Sequence, residues 1–98
     1  MKKLVHLFIR GKVQGVGYRA FVALQAELFD LEGWVRNRRD GSVEAIAEGS
    51  GDAVEKLIKA CWEGPPSSLV NRVEVCDGDP GELALRPAGE KFSLLPTA

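Results

Sequence analysis

From Lys3 to Arg10 the chain reads KLVHLFIR, with Val5, Leu7 and Ile9 alternating against Leu4, His6, Phe8 and Arg10. This period of two, rich in β-branched and aromatic residues, predicts a strand. Glycines at 11, 15 and 17 interrupt it, and a helical pattern follows from Tyr18 to Asp30 with Phe21, Leu24 and Leu28 on one stripe. LEGWVRN from Leu31 and SVEAIAEG from Ser42 read as two strands joined through Arg38-Arg39-Asp40-Gly41, where the Asp-Gly pair marks a hairpin turn. A second helix is signalled by Ser50 or Asp52 as N-cap, with Glu55 three residues after Asp52 as in a capping box. Val54, Leu57, Ile58 and Cys61 continue it at helical spacing, and Gly64-Pro65-Pro66 must end it, because proline has no amide hydrogen to donate. A strand is expected from Asn71 to Val75. The stretch from Asp77 to Glu90 is rich in Gly, Pro and acidic residues, with short strands expected at Leu83 to Leu85 and at Phe92 to Leu95.

The series β, α, β, β, α, β, with one extra strand, suits an α+β ferredoxin-like sandwich, an antiparallel sheet with two helices on one face. At 98 residues the chain is long enough for one core and too short for two, so a single domain over residues 1–98 is expected. The hydrophobic share of 45% and charged share of 28% are those of an ordinary globular protein.

Charge changes the picture of what can bind. Thirteen Lys and Arg face 14 Asp and Glu, so no overall field draws the chain to nucleic acid or to an acidic membrane surface, and an anion must be captured locally. No segment approaches the ~20 apolar residues that span a bilayer. Met1-Lys2-Lys3 is basic, but the apolar run after it is broken by His6 and Arg10 and lacks a small-residue cleavage site. Cys61 and Cys76 have neither the number nor the spacing of a disulfide framework or metal knuckle, and Cys61 is in phase with an apolar helix face. A cytoplasmic monomer is the expectation.

The local capture site is Gly11-Lys12-Val13-Gln14-Gly15-Val16-Gly17-Tyr18-Arg19, which runs from a strand into a helix N-terminus. Unpaired amides and the positive end of the helix dipole converge there, and glycines let successive amides turn inward as an anion-binding nest. Arg19 adds a planar fork suited to two phosphate oxygens. On composition alone, such a loop serves equally well as a plain turn. No Lys followed by Ser or Thr stands after the last glycine, so the nucleotide P-loop pattern fails. Gly15-Val16-Gly17-Tyr18-Arg19-Ala20 matches a dinucleotide fingerprint, with Asp40 at about the right distance. Asp40 falls in a hairpin turn, however, and the chain is too short for the parallel sheet that such a cofactor needs. An RNA-recognition strand is disfavoured by spacing, by a helical reading of Tyr18 onwards and by the charge balance.

The pattern Ile9-x-Gly11-x-Val13-Gln14-Gly15-Val16-x-Tyr18-Arg19 resembles the first signature of the acylphosphatase family. Gly33-Trp34-Val35-Arg36-Asn37, Gly41-Ser42-Val43 and Gly49 are similar to its second, with every interval kept. The resemblance spans residues 4 to about 75 and includes Gly64-Pro65-Pro66; the family's closing strand has its counterpart in Phe92-Ser93-Leu94-Leu95, which Pro96 cuts short. It implies the ferredoxin-like fold and hydrolysis of the carboxyl-phosphate bond. It also implies a phosphate held by the amide loop of Gln14, Gly15, Val16, Gly17 and Tyr18 with Arg19, and water positioned by Asn37.

A carboxylate leaves without protonation near neutral pH, so no strong general acid is required. Phosphoryl transfer through a loose transition state asks mainly for positioning and charge stabilisation. This fits a chain whose only histidine, His6, lies in the first strand away from both motifs, with no nucleophile and base pair in view. No cluster of His, Cys or carboxylates has metal-ligand spacing in sequence, so no cofactor and no metal are expected. Arg36, Arg38 and Arg39 read as solvated hairpin charges, and Trp34 and Tyr18 as core. The main rival keeps fold and loop but binds an acyl or carbamoyl phosphate without turnover, as a sensing or maturation module.

Overall fold

The computed structural model describes residues 1–98. The alternation of the first segment becomes β1 (Lys2–Lys12), whose Val5, Leu7 and Ile9 are buried beneath the helices. After the glycine loop come α1 (Tyr18–Leu28), the hairpin β2 (Glu32–Asn37) and β3 (Val43–Ser50), α2 (Gly51–Glu63) and β4 (Leu69–Asp77). A short helix, α3 (Pro80–Leu83), and the strand β5 (Phe92–Leu94) complete the chain. The sheet order is β4-β1-β3-β2-β5. The first four strands are antiparallel neighbours, and α1 and α2 share one face: the ferredoxin-like α+β arrangement.

The helix-side core joins Val5, Leu7 and Ile9 to Val35, Val43, Ala45, Ala47 and Val73 of the other strands and to Val22, Ala26, Val54, Leu57 and Cys61 of the helices. Register places Leu7 opposite both Ala45 and Val75, so the large side chains of β1 meet alanines on β3. Small residues there let α1 and α2 settle close to the sheet.

Several expectations are corrected. The buried stripe of α1 is Tyr18, Val22 and Ala26, whereas Leu24 and Leu28 are 54% and 67% exposed. Apolar residues occupy two stripes of this helix, and Tyr18, buried and hydrogen-bonded to the Cys61 carbonyl at 2.6 Å, selects the narrower one. The N-cap of α2 is Ser50, whose Oγ accepts from the Ala53 amide at 3.1 Å; Asp52 lies in the first turn. No strand forms at Leu83 to Leu85. Asp79 caps the Gly81 amide and Pro80 takes the first helical position, where its fixed φ suits a helix, so this stretch winds into α3. The sheet is mixed, not wholly antiparallel, because β5 pairs parallel to β2 at the edge. Pro96 ends β5 as a regular strand, yet the chain returns to β2: the Ala98 amide donates to the Asn37 carbonyl and the Arg39 amide donates to that of Ala98, both at 3.0 Å.

The second face of the sheet is covered too. Trp34 and Ile46 are fully buried there, and the indole Nε1 donates to the Glu82 carbonyl at 2.8 Å, fastening α3 over β2.

Candidate active site

Gly15 and Gly17 both adopt left-handed backbone conformations, with φ of 73° and 79°. Side-chain-bearing residues avoid this region, and the alternation turns neighbouring amides toward one side of the loop. Gly17 is the N-cap of α1 and supplies no side-chain cap, and the first turn of the helix carries no acidic residue. The Phe21 amide makes the first helical bond, to the Gly17 carbonyl; none of the amides from Gln14 to Ala20 donates to another main-chain carbonyl. A set of amides without main-chain partners therefore stands at the positive end of a helix, beside a cavity.

That cavity, about 250 Å³, is lined by Val13, Gly15, Gly17, Tyr18, Arg19, Ala20, Asn37 and Leu94. Arg19 has no carboxylate within ion-pairing distance, unlike Arg10, Arg36, Arg38, Arg72 and Arg86. Its charge is uncommitted. Asn37 ends β2 on the helix side, opposite Val43. Its Oδ1 is buried and has no hydrogen-bond partner in the chain, a state that leaves a polar atom in need of an outside donor.

The other expected site residues take different positions. Gln14 does not line the cavity: its Nε2 donates to the Arg38 and Ser42 carbonyls at 2.7 and 2.8 Å, bracing the loop against the β2–β3 hairpin. Val16 packs on the core. Tyr18 lines the cavity, but it is buried and its hydroxyl is bonded to the Cys61 carbonyl; burial raises the pKa of the phenol and pushes the Cys61 thiol up to about 12. Val13, Ala20 and Leu94 line the cavity although their residue types gave no sign of a role there. Val13 lies within the first signature, Ala20 directly follows it, and Leu94 reaches the rim only because β5 lies beside β2.

Arg36 and Arg38, on the reverse face, are not solvated hairpin charges, whereas Arg39 is exposed and makes no ion pair. Arg36 Nε and an Arg38 terminal nitrogen donate to the same Glu44 oxygen at 2.8 and 2.9 Å, and Arg36 lies 4.6 Å above the Trp34 ring. His6 Nε2 is 2.6 Å from the other Glu44 oxygen, and its Nδ1 is 3.5 Å from Glu82. The fold thus gathers His6, Glu44 and Glu82, although their sequence spacing suggests no cluster. The two imidazole nitrogens face different carboxylates and Glu44 is already satisfied by arginines, a donor set closer to an ion-pair network than to a chelate. Burial favours the neutral acid at Glu44, but the hydrogen bonds from Arg36, His6 and Arg38 outweigh it and hold the carboxyl below its ordinary pKa. In the hairpin, Asp40 accepts from the Ser42 hydroxyl and amide, which lowers its pKa likewise.

Fold and site define a class: an α+β ferredoxin-like domain with a cavity at one helix N-terminus that Arg19 and Asn37 line. The acylphosphatase family profile matches residues 5–84. The acylphosphatase of Bradyrhizobium diazoefficiens is 54% identical over 96 residues, covering 98% of this chain and 97% of its own. The crystal structure of acylphosphatase from Bacillus subtilis is similar with a TM-score of 0.82 at 35% identity, over 97% of this chain and 99% of that one. The acylphosphatase structure from Coxiella burnetii gives 0.82 at 33% identity, over 96% and 93%. The chain belongs to the acylphosphatase family, and that membership supports an enzyme that hydrolyses acyl phosphates. No helix is long and apolar enough to cross a membrane.

Proposed function

We propose that the chain hydrolyses small acyl phosphates to carboxylate and inorganic phosphate, without a metal, by direct attack of a water held by Asn37 on a phosphate held by Arg19 and the loop amides. The observation that carries this reading is that one cavity joins an unpaired arginine, free amides at a helix N-terminus and an asparagine with an unpartnered buried oxygen. The phosphate oxygens accept from the loop amides, donors already fixed by the backbone, and from the guanidinium, so charge developing on them is stabilised with little reorganisation. Asn37 Oδ1 accepts a hydrogen bond from water and directs its lone pair at phosphorus. The P–O bond to the acyl group breaks, the carboxylate departs with the electron pair, and a phosphate oxygen takes the proton of the attacking water. No residue lining the cavity is an Asp, Glu, His or Cys, so the cavity has neither a general base nor a metal-ligand set of its own.

The test is hydrolysis of acetyl phosphate in excess chelator by the wild type, Arg19→Gln and Asn37→Ala, with inorganic phosphate as a competitive inhibitor. Removing one preorganised donor of this kind costs about 100-fold or more in kcat. Arg19→Gln should lose turnover and phosphate affinity together; Asn37→Ala should lose turnover and keep phosphate affinity. Wild-type phosphate binding without turnover would instead identify a sensing module, and full activity in Asn37→Ala would remove that residue from the mechanism.

A further inference from the structure

The cluster on the reverse face of the sheet is unused by the reaction, yet it is built directly behind Asn37. Strand alternation points Asn37 to the cavity and sends its neighbours Arg36 and Arg38 to the other side. There both guanidiniums converge on one oxygen of Glu44, at 2.8 and 2.9 Å. Glu44 is 2% exposed, and its second oxygen is held by His6, whose ring stacks on Phe8 at 4.5 Å between centroids. A buried carboxylate of this kind is a poor source of stability compared with apolar packing, because desolvation offsets most of the attraction. What it provides is geometry: one rigid atom ties the residue before Asn37 to the residue after it.

We propose that Glu44 is a positioning residue for the reaction, pinning Arg36 and Arg38 so that the end of β2 cannot twist and Asn37 keeps its aim into the cavity. The phosphate loop has a further brace that does not run wholly through the pinned segment. Gln14 donates to the carbonyls of Arg38 and of Ser42, and the Ser42 bond, on the β3 side of the hairpin, keeps the loop and Arg19 in place when the carboxylate is altered. The proposal rests on the reading of Asn37 as the group that aims water.

The experiment compares the wild type with Glu44→Gln, an isostere that keeps a carbonyl acceptor but loses the charge holding two guanidiniums. Kinetics on acetyl phosphate and inhibition by inorganic phosphate are read together with the Asn37 side-chain amide resonances. The expected result is a fall in kcat of about 10- to 100-fold, the scale on which small misplacements act, with KM and phosphate inhibition unchanged. The Asn37 NH2 signals should broaden or shift, whereas Gly15 and Gly17 respond to phosphate as in the wild type. If Glu44→Gln does not fold, Arg38→Gln removes one of the two pins from a partly exposed position and is measured in the same way. Unchanged kcat, unchanged Asn37 resonances, or a loss confined to phosphate affinity would each overturn the proposal. An inactive Asn37→Ala beside a fully active Glu44→Gln defeats this inference alone; a fully active Asn37→Ala defeats both readings.

Discussion

At the scale of single residues, Gly17 separates folding from binding. Its φ of 79° lies in the left-handed region, and the direction a Cβ would take is open, with no heavy atom within 4 Å. Gly17→Ala therefore meets backbone strain and no collision, costing about 1–2 kcal/mol. Part of that strain is relieved if the loop turns away from φ > 0, which rotates the amides out of the nest. The expected outcome is a fold that survives, by circular dichroism, with inorganic phosphate affinity reduced at least as much as thermal stability. Unchanged phosphate affinity would show that the amides do not hold the anion. Gly33 poses the opposite case, since a Cβ there would come 1.8 Å from the Ile46 carbonyl oxygen, so it serves strand pairing, not chemistry.

At the scale of elements, Tyr18 links the two helices. Its hydroxyl donates to the Cys61 carbonyl in the last turn of α2, where Pro65 has no amide hydrogen to offer that acceptor. Tyr18→Phe should cost about 1–3 kcal/mol by leaving a buried carbonyl unpaired, read as a lower urea midpoint. Because Tyr18 is also the first residue of α1, kcat should fall less than stability does, provided that the helix start keeps its place. Elements whose pattern has one solution were legible in the chain: β1 by its alternation, α2 by its cap and proline stop, the hairpin by Asp40-Gly41. The first helix was legible in position but not in orientation, because Phe21, Leu24 and Leu28 compete with Val22 and Ala26 and only the tertiary bond of Tyr18 decides between them. The stretch after Asp77 was misread at Leu83 because an N-cap followed by proline outweighs the strand preference of two leucines. Arg19 and Asn37 could be picked out from two motifs, but the Glu44 network could not. Its members, at positions 6, 36, 38 and 44, become neighbours only through the register of three strands.

For the whole molecule, the same network gives the fold a dependence on acid. Glu44 titrates below its ordinary value of 4.5 in the folded chain, since Arg36, His6 and Arg38 favour the ionised form more than burial opposes it. The unfolded chain therefore binds the proton more readily than the folded one, and the ionised carboxylate contributes stability in full above the ordinary carboxylate range. That contribution is lost as pH falls from about 4.5 through the lower folded value. The three partners make the loss cooperative with structure: protonation leaves Arg36 and Arg38 facing a neutral acid, with Arg36 still stacked over Trp34. In urea melts across pH 3 to 8, roughly the span over which this linkage operates, the wild type should lose stability on the acid side. Glu44→Gln should start lower at neutral pH and fall less steeply, so that the two curves converge in acid. Parallel curves would place the acid sensitivity elsewhere, with Asp40, which accepts two hydrogen bonds from Ser42 and also titrates low, as the next carboxylate to replace.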